Sequence, residues 1–137
     1  MKRGILILIT FIVVLIPYSC EDSTFIVDCD KCYKSLSQDV NLELKITIDE
    51  SNQYVPITLY RGKIENGEII LEDTTSLTSY YKSVVAGQYY SAVARYTHNG
   101  RVIYVVDGRE LKIKLEKSAC SEACYTIHGS VLDLRIK

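Results

Sequence analysis

Cysteine carries most of the chemistry that this chain's side chains could perform, and the five cysteines fall into three groups by spacing. Cys29-x-x-Cys32 lies near the N-terminus, Cys120-x-x-x-Cys124 near the C-terminus, and Cys20 stands alone ahead of both. Three chemistries suit the two pairs. A C-x-x-C motif serves thiol–disulfide exchange when a βαβ unit and a helix position it. Two such pairs also approximate the four-thiolate spacing of a structural zinc site. In an oxidising compartment the same thiols form structural disulfides, in any of three connectivities. No helical context for a redox pair is evident, so the choice between zinc and disulfides turns on compartment.

Other routes to catalysis find no handle. His98 and His128 are the only histidines, and neither belongs to a metal-ligand pattern. No serine sits in a G-x-S-x-G elbow, and no glycine-rich loop could cradle a phosphate. Acidic pairs such as Asp49-Glu50 and Glu72-Asp73 fall in turn-like stretches, where solvation is their ordinary role. The expectation is of no enzyme, no catalytic residue, no cofactor and no resident metal.

Compartment is written in the first twenty residues. Lys2-Arg3 precedes an apolar run from Gly4 to Ile16, then Pro17-Tyr18-Ser19-Cys20. A basic start, a short apolar core and a small residue before the cut make a secretory signal. The run is too short for a membrane span of about twenty apolar residues. Leu15-Ile16-Pro17-Tyr18-Ser19-Cys20 resembles the lipobox of bacterial lipoproteins, with Pro17 where that family usually carries leucine. The resemblance implies cleavage before Cys20 and a lipid on its thiol, hence a membrane partner. Glu21-Asp22 resembles the acidic tether of Bacteroidetes surface lipoproteins. The expected location is the outer membrane, lipid-anchored, facing either the cell surface or the periplasm.

With Cys20 lipidated, the remaining count is even: Cys29, Cys32, Cys120 and Cys124. Export favours structural disulfides over zinc or redox use, and peptide links from Cys29 or Cys32 to Cys120 or Cys124 are expected. Once residues 1–19 leave, 118 of the 137 residues remain, with 14 basic against 17 acidic side chains. That is one ordinary domain. Its small negative charge offers no electrostatic footprint for nucleic acid. Residues 1–19 thus read as a signal peptide, 20–38 as a tether bearing the first cysteine pair, and 39–137 as the folded domain.

The elements that must position these residues follow a period of two. Val40, Leu42, Leu44, Ile46 and Ile48 alternate with polar residues, as do Val55, Ile57 and Leu59. Asn66-Gly67, Asn99-Gly100 and Asp107-Gly108 are hairpin dipeptides. They separate strands expected over Glu68–Glu72, Tyr89–Thr97, Arg101–Val106 and Arg109–Glu116. A last strand runs from Tyr125 to Ile136, its apolar parity switching at Gly129–Val131, which reads as a bulge. The fold class is therefore all-β, and seven or eight short strands with regular turns mean a sandwich or a barrel. Ile57-x-Leu59-Tyr60, Asp73-Thr74-Thr75, Tyr81, Val84-x-x-Gly87 and Tyr90-x-Ala92-x-Ala94-x-Tyr96 resemble the transthyretin-like and carboxypeptidase-regulatory domains, and collagen-adhesin B-type modules. The resemblance implies a single antiparallel β-sandwich of seven or eight strands, transthyretin-like or immunoglobulin-like, serving as an accessory or adhesive module, and it carries over no catalytic residue.

Eleven tyrosines and no tryptophan complete the unusual features. Adjacent residues on extended chain face opposite ways, so Tyr80-Tyr81 and Tyr89-Tyr90 each divide between two faces. Spacing from Ala92 and Ala94 puts Tyr89 outward and Tyr90 inward. Sheet packing is the plainer use of tyrosine, and recognition of a protein or glycan is the functional one. Tyr80, Tyr81 and Tyr89 are the candidate contact residues. The function expected is a non-catalytic envelope binding or accessory module, with a structural subunit of an envelope or pilus-like assembly as the alternative.

Overall fold

The structure, a computed structural model, describes residues 28–30, 32–33, 38–116 and 122–137. Cys20, Cys120 and the whole of residues 1–19 lie outside the described residues. Among the described residues nine strands form, in chain order: β1 (Asp39–Lys45), β2 (Val55–Arg61), β3 (Glu68–Thr75), β4 (Ser79–Val85), β5 (Tyr89–His98), β6 (Arg101–Glu110), β7 (Lys112–Glu116), β8 (Cys124–His128) and β9 (Val131–Asp133). They make three sheets, ordered β4-β1-β9, β3-β2-β5-β6 and β7-β8. The fold is all-β, as the period of two requires.

Alternation sorts the side chains as expected. Val40, Leu42, Leu44 and Ile46 are buried along β1 and just beyond, and Val55, Ile57 and Leu59 along β2. They share one core with Tyr90, Ala92, Ala94 and Tyr96 of β5, Leu132 of β9, and Leu111 and Leu134. Two tyrosine hydroxyls reach out from β5 inside this core. Tyr90 donates to the Val85 carbonyl at 2.7 Å and Tyr96 to that of Leu134 at 2.7 Å. Each links the four-stranded sheet to elements of the three-stranded one.

Asn99-Gly100 forms the tight hairpin that its residues favour, with φ of 50° and 71° joining β5 to β6. Asn66-Gly67 also lies between paired strands, but inside a longer connection whose positive φ falls on Gly62. Three expectations need correction. Asp107-Gly108 is not a turn: β6 runs straight through it. Gly108 instead lies close beneath the Tyr89 side chain: a Cβ there would stand 2.7 Å from the Tyr89 hydroxyl and 3.0 Å from the Ser91 Cβ, so that side chain would have to shift. The parity switch at Gly129 is no bulge in one strand. Gly129, at φ 78°, lets the chain leave the β7-β8 sheet and enter the β4-β1-β9 sheet as β9. Nor is the pairing wholly antiparallel, since β9 runs parallel to β1, with Leu44 opposite Leu132. One strand beyond the expected set, β4, occupies the Tyr80-Tyr81 segment.

The N-terminal cysteine segment reaches the domain through β8. Tyr33 exchanges two main-chain hydrogen bonds with Tyr125, at 3.1 and 3.0 Å. One residue earlier in each segment, Cys32 is disulfide-bonded to Cys124 across a Cα–Cα distance of 5.3 Å. Cys29 is disulfide-bonded as well.

Candidate functional site

The paired tyrosines divide between faces but do not come together. Tyr81 is 62% exposed on β4, and Tyr89 is 37% exposed at the start of β5 while Tyr90 beside it is buried. The two exposed tyrosines therefore sit on different sheets. Tyr80, half-buried, donates its hydroxyl to Asp73 Oδ2 on β3 at 2.8 Å. That bond, with a second from the Thr74 N–H at 2.7 Å, holds the Asp73 carboxyl below the usual carboxylate range. The same bond pushes the Tyr80 hydroxyl up from its ordinary value. Tyr80 thus braces strands, and its Phe variant should raise the Asp73 pKa toward, but not fully to, the ordinary carboxylate value, because the Thr74 N–H bond remains. Carboxyl-detected NMR titration reads this directly; an unmoved Asp73 would break the assignment. The sign follows from linkage: a carboxyl with a lowered folded pKa favours the fold at neutral pH, and that contribution fades as pH falls.

A more concentrated surface lies on β6. Val102, Tyr104 and Val106 are 57%, 64% and 54% exposed, all on one face of the strand. β6 ends its sheet, with β5 on one side and no strand on the other among the described residues. The two-residue hairpin also decides which main-chain groups are free. Its closing pair, His98 and Arg101, is the hydrogen-bonded kind, so odd-numbered residues of β6 bond to β5. The N–H and C=O groups of Val102, Tyr104 and Val106 consequently point away from the sheet. Thr97 confirms the parity on β5, bonding outward to the Asn52 side chain through both its N–H and its C=O.

Beside this edge runs an open cleft lined by Tyr104, Val106, Asp107, Arg109, Asp133 and Arg135 among others. Asp107 anchors its floor, accepting the Gly108 N–H at 2.8 Å and the Asp133 N–H at 2.8 Å. Arg135 forks onto Asp133 at 2.7 and 2.8 Å, and these bonds hold the Asp133 carboxyl far below the carboxylate range. The cleft's charges are thus largely spent on one another.

Sequence reading passed over this surface, although Val102-Ile103-Tyr104-Val105-Val106 carries a signal. An unbroken apolar run in a strand means both of its faces are apolar. Here one face meets the core and the other meets solvent. It also passed over the grouping of His128 with Glu116 and Thr126, which lie along one side of the β7-β8 pair. The Thr126 hydroxyl is 3.3 Å from Glu116 Oε1 and 3.1 Å from His128 Nε2. A carboxylate can only accept, so when the hydroxyl proton goes to Glu116 it is Nε2–H that donates to the hydroxyl, and the histidine tautomer sets which arrangement forms. Nucleophile activation needs the opposite order, with the histidine accepting that proton. His98 is exposed beside its hairpin. No group of three metal-ligating side chains occurs among the described residues. No family model, curated protein or solved structure matches this chain.

Proposed function

We propose that this protein is a non-catalytic lipoprotein of a bacterial cell envelope, held at the outer membrane by lipid on Cys20 and acting as a binding or accessory module. The basic start, short apolar core and Ser19-Cys20 junction support export and lipidation. The Cys32–Cys124 disulfide supports an oxidising compartment. We further propose that the three- and four-stranded sheets face each other as one sandwich of transthyretin-like or immunoglobulin-like type. The shared core supports this, because inward residues of β1, β2, β5 and β9 belong to a single cluster.

The observation that carries the binding role is the exposed Val102, Tyr104 and Val106 on an open edge. Apolar and aromatic side chains beside unused main-chain groups form a ready template for another strand. The same edge favours the second reading, an assembly subunit, since strand addition is how such subunits join.

Anchoring is tested by expression in a diderm bacterium. The protein should partition into detergent and incorporate labelled fatty acid, and Cys20→Ser should abolish both. Label retained by the Cys20→Ser variant would sink the proposal.

A further inference from the structure

The β6 edge is self-complementary. Its outward main-chain groups belong to even-numbered residues, so an added antiparallel strand must pair even residues with even ones. When the added strand is a second β6, centring the pairing on Tyr104 sets Val102 opposite Val106 and Tyr104 opposite Tyr104. Ile103 then meets Val105, and Arg101 meets Asp107, opposite charges at both ends of the match. Shifting by one pair in one direction sets Arg101 against Arg109, a like-charge contact. Shifting the other way shortens the overlap. Among these registers only the centred one sets opposite charges against each other, over the seven residues Arg101 to Asp107 of each strand.

We propose that β6 pairs with β6 of a second copy about a two-fold axis through Tyr104, fusing two four-stranded sheets into one of eight strands. The inference rests on β6 being the binding surface and names its occupant. A two-fold contact of this kind closes on itself and stops at the dimer. The match is short, so the area lies at the small end of specific interfaces. Confinement to a membrane by the lipid on Cys20 would raise the effective concentration and favour it.

Because Tyr104 faces its own copy, opposite charges can be installed there only by mixing two chains. Sedimentation of the full chain over a concentration series should show a monomer–dimer equilibrium. Tyr104→Lys and Tyr104→Glu should each weaken dimerisation by about tenfold or more through like-charge contact. An equimolar mixture of the two should recover the dimer. Unchanged thermal midpoints for both variants verify folding, as an exposed site predicts. A mixture that stays monomeric, or variants that dimerise like wild type, would overturn the pairing. Monomeric wild type whose Tyr104→Lys variant loses a different envelope protein would overturn the second copy as occupant while leaving the binding module standing.

Discussion

Replacing Cys29, Cys32, Cys120 and Cys124 together with alanine is expected to lower the unfolding free energy by about 4–5 kcal/mol. Cys32 and Cys124 lie 92 residues apart, and closing a loop of that length restricts the unfolded chain by about that much. For a domain of this size the thermal midpoint should fall by roughly 15–25 °C. The paired variant Cys32→Ala with Cys124→Ala should behave differently. Cys29 is also disulfide-bonded, and with Cys32 and Cys124 bonded to each other its partner lies outside the described residues. If that partner is Cys120, the second bridge ties nearly the same chain ends. Most of the loop entropy then survives loss of the first bridge, because the two closures differ by only a few residues at each end. The paired variant should lose about 1–2 kcal/mol, mainly from the packing of Cys124, which is fully buried. Denaturant unfolding of both variants under oxidising conditions separates the cases. A paired variant as unstable as the fourfold one would show that Cys29 ties the chain elsewhere.

Strands such as β1 and β2 were legible because each buries one face in the core and leaves the other toward solvent. Val40, Leu42, Leu44 and Ile46 announce that arrangement in four residues. Turn chemistry was less decisive. Asn99-Gly100 and Asp107-Gly108 look equivalent as dipeptides, yet one turns the chain and the other lies inside a ten-residue strand. The difference is tertiary: Asp107 and Gly108 pair with Ala92 and Ser91 of β5, and that ladder carries the strand straight on. Gly129 misled for a similar reason. A parity switch records that inward and outward have exchanged, and a bulge and a change of sheet produce the same record.

The candidate surface was hidden by its own composition. Five consecutive apolar residues cannot say which of two faces is buried, so Val102, Tyr104 and Val106 passed as ordinary strand formers. The tyrosine pairs drew attention instead, and the fold disperses them. Tyr80 and Tyr90 are engaged in hydrogen bonds between strands, and Tyr81 and Tyr89 are on separate sheets. Tyrosine thus has two distinct uses here, bracing and display, and spacing alone reports only that it alternates.

Tyr96 is the brace whose loss should cost most. Its ring is buried, its hydroxyl donates to the Leu134 carbonyl at 2.7 Å and it accepts the Thr47 N–H at 3.1 Å. Tyr96→Ala should therefore destabilise by about 3–5 kcal/mol through the cavity it leaves. Tyr96→Phe keeps the ring and removes only the hydroxyl, leaving two main-chain groups unmatched, at about 1–3 kcal/mol. Tyr90→Phe, which removes a single bond to Val85, should cost less. Alkaline pH separates hydroxyl from ring. Burial pushes the Tyr96 hydroxyl above its ordinary value, whereas the unfolded residue ionises near pH 10. A raised folded pKa contributes stability that is complete below about 10 and lost as pH climbs through the folded value. The stability gap between wild type and Tyr96→Phe should hold constant from neutral pH to about 9, then narrow. Denaturant titrations at neutral pH and at pH above about 10 measure it. A gap that stays constant throughout would mean that the hydroxyl is already solvated in the fold, and the brace between β5 and the Leu134 segment would have to be abandoned.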